Sequence, residues 1–113
     1  MVGIVLVSHS HSVAEGAAEL ARQVGGQDVR IETAGGLDDP VHSMGTDAVL
    51  VMQAIERAWS DYGVLVLMDL GSAVLSAEMA LDLVPVERRN KVLLTDAPLV
   101  EGAVSAAVSA RIG

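Results

Sequence analysis

The sequence predicts an α/β fold, a mostly parallel four-stranded sheet with helices on both faces. Two observations carry this. Short apolar runs of strand length alternate along the chain with stretches of helical periodicity, the order that builds right-handed β-α-β crossovers. The first and third runs, Val2 to Val7 and Val64 to Met68, are also almost continuously apolar, as strands buried on both faces are.

The elements follow in order. After Val2 to Val7 comes the polar run Ser8-His9-Ser10-His11-Ser12, and Ser12 with Glu15 spells an S-x-x-E capping box. Val13, Ala17, Leu20, Ala21 and Val24 recur at helical spacing as one apolar face, and Gly25-Gly26 stops that helix. Val29, Ile31 and Thr33 alternate with charged residues as a half-buried strand does. Residues 35 to 45 form a connection long enough to suggest function. A second helix starts near Thr46, with Ala48, Val51, Met52, Ile55 and Trp59 inward. After the third strand, Asp69-Leu70-Gly71-Ser72 leads into a mostly apolar helix that Pro85 ends. Val92 to Leu94 is the fourth strand, ending in Thr95-Asp96, and Val100 to Ile112 is an Ala-rich closing helix. With 113 residues, 1–113 read as one domain.

Composition narrows the function. Seven basic residues against fifteen acidic give a net charge of -8, which argues against a nucleic-acid partner and fits docking onto basic proteins. There is no Cys, so no thiolate nucleophile or disulfide framework is available, and the lack is compatible with a cytoplasmic location. Met1 leads into a strand without a signal-peptide pattern, and no apolar run reaches the ~18 residues of a membrane span. Neither G-x-x-x-x-G-K-[ST] nor G-x-G-x-x-G occurs, so the chain itself is expected to bind no nucleotide or other cofactor.

In parallel sheets ligands bind beyond the carboxyl ends of the strands. That edge carries Ser8-His9, Gly35-Gly36, Asp69-Leu70-Gly71-Ser72 and Thr95-Asp96. His9 lies beside a helix N-terminus suited to an anion, and a neutral imidazole is a nucleophile that needs no activating base at neutral pH. Its bland alternative is a hydrogen-bonded strand-end histidine. Asp69 ends a neighbouring strand and is placed to fix the tautomer of His9, although turn aspartates are common. Ser10, Gly36, Gly71 and Ser72 are candidates for a phosphate rim, as are Gly35, Gly45 and Thr46 beside the long loop, with turn formation and capping as their ordinary work. His11 makes an H-x-H pair with His9, a poor metal signal without a third ligand. His42, Asp38, Asp39 and Asp47 read as solvated. Leu37, Met44, Leu70 and Val74 serve equally as a docking rim or as core.

Val-Ser-His-Ser, Ala-Gly-Gly-Leu-Asp-Asp-Pro, Gly-Thr-Asp-Ala-Val, Met-Asp-Leu-Gly-Ser-Ala and Ala-Pro-Leu-Val-Glu-Gly-Ala together resemble one family. It is that of the phosphotransfer subunit of bacterial dihydroxyacetone kinase, whose N-terminal domain is of the mannose-type EIIA class of the sugar phosphotransferase system. Met-Asp-Leu-Gly-Ser-Ala resembles the dihydroxyacetone branch rather than sugar transport. The resemblance implies a phosphotransferase component in which His9 is phosphorylated and Asp69 supports it. It implies the carrier protein HPr, charged through enzyme I, as donor and ADP held in the nucleotide-binding kinase subunit as acceptor. It also implies a homodimer, with one departure: this sequence stops at Gly113, whereas the family domain usually continues to a further strand exchanged between subunits. The alternatives are a sugar-transport EIIA domain, an aspartate-phosphorylated receiver-like module, and a module that binds small molecules without covalent chemistry.

Overall fold

The computed structural model of the chain describes residues 1–26, 28–36, 47–69 and 71–112, with the side chains of 71 and 72 left aside. Its strands are β1 (Gly3–Ser8), β2 (Ile31–Gly35), β3 (Val64–Met68) and β4 (Val92–Thr95). Its helices are α1 (His11–Gly25), α2 (Ala48–Ala58), α3 (Gly71–Leu83), α4 (Val86–Arg89) and α5 (Leu99–Ile112). The sheet order is β2-β1-β3-β4, and the three pairings are all parallel. The expected four-stranded α/β architecture is therefore present.

Strand alternation divides the core into two layers. Val5, Val7, Val64, Val66 and Met68 face α2 and α3 with Val51, Ile55, Ala73 and Ala77. Ile4, Leu6 and Leu67 face the other way, toward Ala17, Ala18 and Ala21 of α1 and Ala103 and Ala107 of α5. Small side chains let α1 and α5 approach closely, and a Cβ on Gly25 would lie 2.9 Å from the Ala107 Cβ. With Phe absent, the core is aliphatic, and much of its interdigitation falls to Val and Ala.

Two details depart from the sequence reading and two add to it. The Ser12–Glu15 capping box does not form. The N-cap is Ser10, whose side chain accepts from the Val13 N–H at 3.3 Å, so α1 starts before Ser12, and Glu15 instead accepts from the Thr33 hydroxyl of β2. The apolar face of α1 is also rotated. Val13 and Leu20 are 47% exposed, whereas Ala14, Ala17, Ala18 and Ala21 are buried, because the close α1–α5 contact selects alanine over larger side chains. Asp47 is exposed but structural, capping α2 through the N–H groups of Val49 and Leu50. Finally, Pro85 does more than end α3, since it also caps the short α4, whose Arg88 stacks over the Trp59 ring at 4.5 Å.

The register sets the site. Val7 lies opposite Met68, and the Asp69 N–H donates to the Val7 carbonyl at 3.2 Å, so Ser8 and Asp69 continue the β1–β3 ladder. By the twofold alternation of both strands, these two residues fall on the same face.

Candidate functional site: a histidine–aspartate pair at the carboxyl edge

His9 follows β1 directly and Asp69 follows β3, and adjacency of the two strands brings them together. His9 Nδ1 lies 3.1 Å from Asp69 Oδ1. An ionised carboxylate only accepts, so in this contact the imidazole donates from Nδ1. The second oxygen of Asp69, Oδ2, accepts from the His9 backbone N–H at 3.1 Å and from the Ser8 hydroxyl at 2.7 Å. The side chains of His9 and Asp69 are 18% and 21% exposed, shielded on most sides yet open to an approaching group.

The turn from β1 to α1 is fixed by short polar bonds. Ser8 Oγ accepts from the Ser10 N–H at 3.1 Å, and Ser10 in turn caps α1. The N–H groups of His11 and Ser12 open the 15-residue helix and have no carbonyl of a preceding turn to meet. They and the helix dipole supply a partial positive charge beside His9.

β2 closes the third side. A Cβ on Gly35 would lie 2.9 Å from the Ser10 carbonyl oxygen and 3.0 Å from the His11 Cα, so only glycine lets β2 run this close to the start of α1. Gly36 has φ 75°, and its N–H donates to the Ser8 carbonyl at 3.3 Å.

Thus the structure brings together His9, Asp69, Ser10 and Gly36. α3 begins at Gly71, so Gly71 and Ser72 open the helix that follows Asp69. His11 is exposed in the first turn of α1. Val74 is half-buried and packs into the core. Leu37, Asp38, Asp39, His42, Met44, Thr46 and Leu70 lie outside the described residues. Thr95 ends β4 and accepts from the Ala97 N–H at 3.3 Å. Sequence reading set Ser8 on this edge without giving it a role, and read Gly35 as a rim or turn glycine. The alternation of β1 already pointed Ser8 at the Asp69 face, which was the available signal for it.

A parallel α/β sheet of this order, with a histidine–aspartate pair where β1 and β3 end, defines the class. The chain belongs to the family of the PTS system fructose IIA component, also written EIIA-man, whose model matches residues 3–113. It is 54% identical over 114 residues to the PEP-dependent dihydroxyacetone kinase, phosphoryl donor subunit DhaM, of Escherichia coli (strain K12), a match covering 100% of this chain and 24% of that one. It is 40% identical over 112 residues to PEP-dependent dihydroxyacetone kinase 2, phosphoryl donor subunit DhaM, of Listeria innocua serovar 6a, covering 99% of this chain and 88% of the relative. The chain thus spans about a quarter of the length of the enterobacterial relatives it matches. Among solved structures it is similar to a protein of unknown function, EF1359, with a TM-score of 0.86 and 37% identity over 100% of this chain and 86% of that one.

Proposed function

We propose that residues 1–113 act as one phosphocarrier domain in which His9 accepts a phosphoryl group and passes it on. The observation that carries this reading is the His9–Asp69 contact at 3.1 Å. It commits Nδ1 to the carboxylate and gives the reacting lone pair to Nε2. In the first step Nε2 attacks phosphorus of a phosphohistidine on the donor, whose N–P bond breaks with the electron pair returning to its own ring. In the second step an acceptor phosphate oxygen attacks the same phosphorus and the electron pair returns to Nε2. The arriving group carries roughly two negative charges. The start of α1 offsets them, with Ser10, Gly36, Gly71 and Ser72 shaping the rim. The domain works as a phosphotransferase component and needs no cofactor of its own.

The donor is HPr and the acceptor is ADP in a dihydroxyacetone kinase subunit. Support comes from the relatives named as phosphoryl donor subunits of that kinase, which match across the whole chain. The setting is cytoplasmic. Among the described residues no helix is long and apolar enough to cross a membrane, which agrees with that setting. The protein pairs as a homodimer. Leu93 on the edge strand β4 is 64% exposed, and an apolar groove of about 830 Å³ runs beside it along α5, both suited to a partner.

The test is incubation with enzyme I, HPr and phosphoenolpyruvate. The wild-type chain gains one acid-labile phosphoryl group and His9→Ala gains none. An acid-stable label on the wild type would instead favour an aspartate-phosphorylated module.

A further inference from the structure

Among the described residues Ser8 is the one buried polar side chain, with no exposed surface. A hydroxyl at that depth is costly unless it is fully used, and both of its bonds serve the site. It donates to Asp69 Oδ2 at 2.7 Å and accepts from the Ser10 N–H at 3.1 Å. The carboxylate needs such help. The χ2 torsion of aspartate is broad and has no sharp preference, so nothing within Asp69 selects the plane that presents Oδ1 to the ring. Two donors on Oδ2, the Ser8 hydroxyl and the His9 N–H, select it.

We propose that Ser8 is a positioning residue for phosphoryl transfer: its buried hydroxyl locks the Asp69 carboxylate so that Oδ1 holds His9 in the Nδ1–H tautomer. By accepting from Ser10 it also fixes the turn that presents the imidazole beside α1. Ser8 touches neither the phosphoryl group nor the reacting nitrogen; it acts through Asp69. This deepens the carrier reading and rests on it for its kinetic consequence, while the tautomer can be read without any donor.

The experiment compares the wild type with Ser8→Ala and Ser8→Cys. Cysteine fills the site, being slightly larger than serine, and is only a weak donor, so it separates loss of the hydrogen bond from the cavity that alanine leaves. Imidazole ¹⁵N shifts of the unphosphorylated proteins report the tautomer, and stopped phosphorylation by phospho-HPr reports the rate at saturating and limiting donor. In the wild type His9 is the Nδ1–H tautomer. In both variants the Nε2–H tautomer gains population, and the maximal rate falls about 10-fold, the loss of a hydrogen bond to a charged group, with little change in KM. In the Asp69→Ala background, Ser8→Ala adds less than about a further 2-fold, because the group it acts through is gone. A wild-type rate and unshifted ¹⁵N signals in folded Ser8→Cys overturn the proposal, as do rate losses for Ser8→Ala and Asp69→Ala that multiply in the double variant. A wild-type protein that shows the Nδ1–H tautomer, and loses it in the Ser8 variants, yet takes no label from phospho-HPr leaves the positioning role standing and overturns the carrier reading.

Discussion

The two oxygens of Asp69 meet different demands. Oδ1 meets the ring of His9, while Oδ2 is held by the chain that carries that ring. Removing the carboxylate therefore takes away both the tautomer and the ring orientation. Asp69→Ala is expected to slow phosphoryl uptake by about 10²-fold, the scale on which misplacement of a reacting group acts. Its thermal melt should stay cooperative, since Asp69 lies at the edge of the sheet and the two core layers do not depend on it. A rate equal to wild type would remove Asp69 from the chemistry. At this scale the pair was legible in the sequence, because His9 and Asp69 each end an apolar run and parallel sheets gather such ends. Ser8 was less legible. It opens a run in which Ser10 and Ser12 look equivalent, and only strand alternation distinguishes the one that turns inward.

Between elements, close approach governs the site. β2 passes so near the start of α1 that Gly35 has no room for a side chain, with the Ala14 Cβ also 3.0 Å from where its own Cβ would be. Gly35→Ala is expected to lose about 1–3 kcal/mol of stability in urea titration, the usual cost of overpacking. It should also slow phosphoryl uptake, because the strain falls on Ser10 and His11 beside the ring. Unchanged stability would mean that the strands relax freely there. This contact was hidden in the sequence, where Gly35-Gly36 reads as a turn. The start of α1 was misread for a related reason. S-x-x-E at Ser12 matched a capping pattern, but Ser10 caps the helix and Glu15 bonds to β2. Periodicity likewise favoured Val13 and Leu20 as the inner face, whereas tight packing on α5 buries the alanines between them. The sequence shows a stripe of small residues only as weak hydrophobicity, so its role emerges once the partner helix is placed.

For the whole molecule, charge and topology decide what is presented to a partner. Strand alternation and parallel order were readable from length and pattern, since strands buried on both faces leave continuous apolar runs. The net charge of -8 predicts attraction to a basic donor face. Phosphoryl uptake at limiting donor should therefore fall as salt rises from low ionic strength through 0.1 M, where the screening length is about 10 Å. A flat profile would mean that steering plays no part. The central claim concerns one of three histidines in the chain, His9, His11 and His42. Mapping the phosphorylated peptide after reaction with enzyme I, HPr and phosphoenolpyruvate, under alkaline conditions that preserve phosphohistidine, tests it most directly. The account predicts the label on His9 alone. A label on His11 or on His42, with His9 unmodified, would contradict it.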